Sequence, residues 1–175
     1  GSAKIDGANL GSALAGSIPV TRLSANKEAG FAVLTYSGTG SAGTIGHGLD
    51  AVPEWYFIKR RNADSSTWTV YHTGLDNASN PQTRFILLNE TDAEGTTSAT
   101  FNNTAPTLTV FSVGGSEMVN NGSGTYVAYV FAPKEGYSKF GMYADSVIGG
   151  DYENTSPFVY TGFRVGWLMI KGVAA

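Results

Sequence analysis

The sequence predicts an all-β protein: an antiparallel β-sandwich preceded by an extended N-terminal stalk. Three observations carry that expectation. After Gly30, short β-branched and aromatic runs recur, separated by Gly, Asn, Asp, Ser and Pro clusters every 8 to 15 residues, which is the pattern of a sandwich of short strands. Before Gly30, small residues dominate and apolar positions are isolated. Finally, Trp55-Tyr56-Phe57-Ile58-Lys59 returns as Trp167-Leu168-Met169-Ile170-Lys171, each copy following an aromatic run and a turn containing Gly48 or Gly162. One strand-turn-strand unit is thus expected to be used twice.

In chain order, residues 1–29 read as a stalk or linker. Ile5, Leu10, Leu14, Ile18, Val20 and Leu23 are too sparse to offset an ordering cost of roughly 1–2 kcal/mol per residue unless neighbouring copies pack together, as in a trimer. Gly7, Gly11, Gly16 and Pro19 interrupt the partial helical spacing. The sandwich domain is expected over 30–175, with strands at Phe31–Tyr36, Glu54–Arg60, Thr67–His72, Arg84–Asn89 and Thr107–Val113. Further strands are expected at Thr125–Ala132, Ser138–Tyr143, Pro157–Phe163 and Gly166–Lys171. Both period-2 faces of Tyr126–Phe131 are apolar, which predicts a central strand. Trp68, Val70 and His72 oppose Thr67, Thr69 and Tyr71, which suits an outer strand.

At 175 residues, the chain suits one domain with an appendage, burying roughly 70% of its unfolded surface. Cysteine is absent, which excludes disulfides, thiolate metal sites and a thiol nucleophile. Charged residues make up 14%, against about 25% in an average domain, so Ser, Thr, Asn and Gly must coat the surface. A net charge of -3 and the lone short cluster Lys59-Arg60-Arg61 argue against nucleic acid as a partner. No apolar run approaches the roughly 18–20 residues of a membrane span, so no membrane insertion is expected.

Motifs of chemistry are few. Gly38-Thr39-Gly40-Ser41-Ala42-Gly43 has the G-x-G-x-x-G form, but the following Thr44-Ile45-Gly46-His47-Gly48 cannot open a phosphate-binding helix, so it reads as a Gly-rich turn. Glu90, Asp92 and Glu94 alternate and would share a face on a strand, the arrangement of paired glycosidase carboxylates. Their surroundings read instead as a solvated loop. His47 and His72 lack companion ligands, and Asp145, Asp151, Glu153 and Asn154 follow no EF-hand order, so no metal and no cofactor is expected. No catalytic residue is assigned. Trp55 and Trp167, in matching repeat positions, are expected in the core. Aromatic rings beside polar turns suit the faces and hydroxyls of sugars, so ligand contact is expected at Trp68, Tyr71, Asp151, Tyr152 and Asn154. The loops 114–124, whose only charge is Glu117, and 144–156 are the expected contact regions.

Several stretches together resemble a known family. They are Gly46-His47-Gly48-Leu49, Pro53, Trp55 to Lys59, Trp68 to His72, Phe101 to Thr107, Phe111-Ser112-Val113-Gly114 and Tyr126 to Ala132. Lys139 to Tyr143 and Pro157 to Arg164 extend the likeness over most of residues 30–171. In combination they resemble the concanavalin A-like domain found in virion structural proteins of tailed, notably marine, bacteriophages, and the stretch from Ile5 to Leu23 is similar to the stalks of phage tail fibres. The resemblance implies a virion location, on tail or capsid. It also implies a homotrimeric fibre among other virion proteins, and a β-sandwich tip that meets a host surface glycan. A non-adhesive structural or decoration role and a glycan depolymerase using Glu90, Asp92 and Glu94 are the competing expectations. In that family the second Trp-x-x-Ile-Lys strand precedes a hairpin like Thr67–His72, which is not found after Lys171. The expectation is a sandwich closed without it or an edge covered by a neighbouring subunit.

Overall fold

The computed structural model describes residues 3–10, 14–144 and 157–173. The molecule is all-β and its regular elements are short. They run β1 (Lys4–Ile5), β2 (Ala8–Asn9), β3 (Val20–Asn26), β4 (Phe31–Ser37), β5 (Gly43–Gly46), β6 (Trp55–Arg60), β7 (Trp68–His72), β8 (Arg84–Leu87), β9 (Gly95–Thr96), a helical turn α1 (Ser98–Phe101), β10 (Val110–Val113) and β11 (Thr125–Phe131). Nine strands form one mixed sheet in the order β2-β1-β3-β4-β11-β6-β7-β8-β9, while β5 and β10 form a second, two-stranded sheet. Only β1 and β3 pair in parallel within the large sheet.

Alternation along the central strands decides which face is the core. In β4 and β11 every second residue is fully buried, and the ladder sets Leu23, Leu34, Ala128 and Ile58 in one cross-sheet row. Ile45, Phe111 and Val113 of the small sheet and Phe101 of α1 join the same cluster. The Tyr56 ring is 4.9 Å from Phe111 and 5.3 Å from Phe101. Burying each such large side chain stabilises the fold by roughly 1.5–3 kcal/mol. The opposite face carries Phe31, Phe131, Trp55, Phe57 and Tyr129, all half-buried. A smaller cluster of Val70, Leu75 and Ile86 sits there beneath Trp55, Phe57 and Leu88.

The N-terminal expectation is corrected. Residues 20–26 belong to the sheet rather than to a stalk: β3 pairs along β4 from Val20↔Tyr36 to Asn26↔Phe31, and Ile18, Leu23 and Ala25 are buried in the main cluster. The expected boundary at residue 30 falls inside the β3–β4 hairpin. Leu23 and Ala25 alternate with Arg22, Ser24 and Asn26, a period-2 strand pattern that the small-residue composition conceals.

β11 is central as expected, flanked by β4 and β6. β7 is not an outer strand: it lies between β6 and β8, and Thr69, Val70 and Tyr71 are all buried. The strand expected from Thr107 starts only at Val110, because Thr107 Oγ1 accepts from the Thr109 and Val110 N–H groups and closes a turn. The expected strands at 138–143, 157–163 and 166–171 are not formed; one isolated bridge, Lys134↔Ser138, is found instead. The second copy of the repeat therefore shares a sequence with β6 but not its environment. Trp55 is half-buried and Trp167 is 71% exposed, their rings 6.5 Å apart on the outer face, so neither occupies the core.

Candidate ligand-binding cleft

Two loops at one end of the large sheet are braced by side chains that bond to backbone. The β6–β7 loop is held by Lys59 Nζ donating to the Ser66 carbonyl and by Ser66 Oγ donating to the Arg60 carbonyl at 2.8 Å. Asn62 ties it to the neighbouring loop, donating to the Ser123 carbonyl at 2.9 Å and accepting from Thr125 N–H at 3.0 Å. The facing loop, 114–124, is rooted in the core. Tyr36 Oη donates to the Val119 carbonyl at 2.6 Å, Tyr126 Oη donates to the Glu117 carbonyl at 2.7 Å, and the two rings stack 5.2 Å apart. Buried Asn120 accepts from Thr39 N–H and donates to the Ser41 and Gly114 carbonyls. The G-x-G-x-x-G stretch is thus a turn strapped to Asn120, and Gly40 N–H also donates to the Asn120 carbonyl.

Between these loops opens a cleft of about 250 Å³, with Arg60, Ala63, Ser65, Ser66 and Thr67 on one side and Glu117 and Met118 on the other. The residues lining it are one basic, one acidic, three hydroxyl-bearing and two apolar. The ion pairs among the described residues are Lys27–Asp50, Arg84–Asp76 and Arg84–Glu94. Arg60 and Glu117 therefore line one cleft without neutralising each other. Both are felt at the Tyr126 phenol, which is raised above its usual range, foremost by burial and also by Glu117, while the Asn121 N–H bond and Arg60 pull it down.

Of the residues expected to contact ligand, Trp68 is half-buried on the outer face of the sheet. Its ring is 5.6 Å from Phe57 and 6.2 Å from Tyr129, with Lys59 Nζ 5.5 Å above it. Tyr71 is a correction: it is 3% exposed, stacked 4.7 Å from Tyr56, and burial followed by the charge of Glu54 pushes its phenol up to about 12. Strand parity turns it into the core, away from Trp68. Asp151, Tyr152 and Asn154 lie outside the described residues, as do Asp145 and Glu153.

Glu90, Asp92 and Glu94 fall in the loop between β8 and β9, not on a strand. Glu90 accepts from Asn89 Nδ2 at 2.9 Å. Glu94 accepts from Asp76 N–H at 3.0 Å and sits 3.9 Å from Arg84 Nε. It helps to hold a turn in which Asp76, Asn77 and Ala78 take φ of 54°, 52° and 60°, a left-handed run that is costly for the alanine above all. His47 is buried, its Nε2 donating to the Thr107 carbonyl at 3.2 Å while Nδ1 accepts from Leu49 N–H. His72 Nδ1 accepts from Gly74 N–H at 2.9 Å. Both histidines close turns. Among the described residues no cluster of three or more His, Asp and Glu is placed to hold a metal ion.

A second cavity of about 320 Å³ lies on the outer face and is wholly apolar, formed by Trp55, Phe57, Leu88 and Phe131 under Trp167 and Met169. Residues 4–175 match the model of a domain of unknown function, DUF7483. No curated protein and no solved structure matches the chain.

Proposed function

The chain belongs to the DUF7483 family, and for this member we propose a role as a virion fibre protein of a tailed bacteriophage, attaching to a host surface glycan through a concanavalin A-like β-sandwich. On this reading the protein is a homotrimer that docks on other virion proteins and sits on the tail or capsid surface. The observation that carries the adhesive part is the cleft between the 61–67 and 114–124 loops. Its braced walls present hydroxyls and charged groups beside Ala63 and Met118, the combination that suits a sugar's polar rim and apolar face. The bacteriophage part rests on the sequence resemblance alone.

The test is a glycan array and a host-cell binding assay on the assembled protein, with Ala63→Trp as the variant that fills the cleft. Binding to bacterial surface polysaccharide, reduced at least about tenfold by the substitution at unchanged melting temperature, is the expected result; tenfold corresponds to about 1.4 kcal/mol of binding free energy. Blank arrays and blank cells would remove adhesion in favour of a structural role.

That structural role is the second reading, and a separate observation favours it. Phe158, Tyr160, Trp167, Leu168 and Ile170 are between 61% and 89% exposed, and an accumulation of exposed large apolar side chains marks interaction sites. Copies of this chain are the partner this reading assigns.

A further inference from the structure

Arg60 and Glu117 line the same cleft, one on each wall, and neither is within ion-pair distance of the other. Among the described residues the guanidinium has a single tie, Nε donating to Asn62 Oδ1 at 3.2 Å, which holds it from the end of β6 against the β6–β7 loop. Among the described residues, neither the Arg60 Nη atoms nor the Glu117 carboxylate oxygens are hydrogen-bonded within the protein. Glu117 is exposed and Arg60 half-buried, so water solvates both until a ligand displaces it, and a neutral saccharide would replace that water with no opposite charge. An anionic one would satisfy Arg60 and be repelled by Glu117, and a cationic one the reverse, since like charges at close range disfavour each other.

We infer that the cleft selects a zwitterionic saccharide, one carrying an ammonium group for Glu117 and a carboxylate or phosphate for Arg60 within the same one or two sugar units. The inference rests on the glycan-binding reading above and names the class of sugar. Size sets the limit: about 250 Å³ lies just below the roughly 300–1,000 Å³ of small-molecule sites, room for a ring with its substituents rather than for a long chain. The Ser65 hydroxyl and the Met118 side chain remain for a ring hydroxyl and the ring's apolar face, the Thr67 hydroxyl being shared with Thr69 Oγ1 at 3.4 Å. Arg60, with Nη donors in a planar fork, suits the acidic group.

The probe is a glucosamine–glucuronic acid disaccharide with a free amine, compared with its N-acetylated and its carboxyl-reduced forms, by calorimetry on the full chain. The free zwitterion is expected to bind at least tenfold tighter than either. Glu117→Gln should erase the preference over the N-acetylated form, and Arg60→Gln the preference over the carboxyl-reduced form, while Arg60→Lys, which keeps the charge, retains most of it. Circular dichroism of each variant separates these effects from misfolding. Equal binding of all three forms, or preferences that survive both Gln variants, overturns the zwitterion but leaves saccharide binding standing. Failure of all three forms where an array shows other glycans bound does the same. Failure of every saccharide overturns both readings.

Discussion

Asn120 and Tyr56 are both fully buried and polar, and their substitutions should move stability in opposite directions. Asn120 Nδ2 donates to the Ser41 carbonyl at 2.6 Å and to the Gly114 carbonyl at 2.8 Å, and Oδ1 accepts from Thr39 N–H at 2.8 Å. Asn120→Ala leaves these backbone groups unpaired and should cost roughly 2–4 kcal/mol in urea unfolding. The Tyr56 hydroxyl has no partner among the described residues, so Tyr56→Phe is expected to be neutral or stabilising by up to about 1 kcal/mol; a clear loss would show the hydroxyl to be satisfied. pH acts at the same scale. Burial lowers the pKa of His47, outweighing the Thr107 carbonyl and Asp50, and burial also lowers His72. Below about 6.5 the unfolded chain therefore takes up protons first, and the stability these neutral rings contribute is lost as pH falls. At the other limb Tyr71 is raised to about 12, so stability is lost as pH rises past about 10, where the unfolded phenol ionises first. Urea midpoints at pH 5, 7 and 11 check both limbs, and His47→Gln should flatten the acid one. Of the cleft residues, Glu117 was legible as the lone charge of its loop. Arg60 was visible only as part of a basic triplet. Their meeting depends on β6 and β11 being neighbours, which no local pattern encodes.

At the scale of elements, β3 changes what a truncation should do. It buries Leu23 and Ala25 in the main cluster and covers the edge of β4, and Ile18 packs just ahead of it. A chain beginning at residue 30 should lose several kcal/mol, since each buried large side chain contributes roughly 1.5–3 kcal/mol. A chain beginning at residue 18 should keep most of the stability, because upstream only partly buried residues such as Ile5 and Leu14 reach the cluster. Thermal melts of the two truncations distinguish a stalk from a strand: equal, undiminished melting temperatures would restore the stalk. The strands legible in the sequence were those whose alternation uses large side chains, such as β4, β6 and β11. Those missed use small ones. β5 is Gly43-Thr44-Ile45-Gly46, where Ala15 O lies 2.4 Å from where a Cβ on Gly46 would stand, so close backbone approach replaces side-chain packing as the reason for the sequence. The segments 157–163 and 166–171 have the composition of strands but no ladder partner among the described residues, and β-propensity expresses itself only through neighbours.

For the whole molecule, the two faces of the large sheet are unequally served. One is sealed by the β5–β10 sheet and α1. The other is crossed by the segment 167–173, which touches it through Trp167 and Met169 and is anchored by Lys171 Nζ to the Glu90 carbonyl and by Glu94 N–H to the Val173 carbonyl. Along that segment Leu168 and Ile170 stay 68% and 61% exposed. Apolar area returned from water is worth roughly 25 cal/mol per Å², so association that covers these side chains is favourable. Charge placed there should oppose it. Leu168→Glu with Ile170→Glu is expected to shift the sedimentation mass toward the monomer while the melting temperature of the dilute protein stays within a few degrees, because the replaced side chains already face solvent. Removing residues 1–17 is the matched control. If that truncation dissolves the assembly and the double Glu variant does not, the N-terminal segment carries oligomerisation and the apolar segment does not; the opposite pair of outcomes places the contact on the outer face of the sheet.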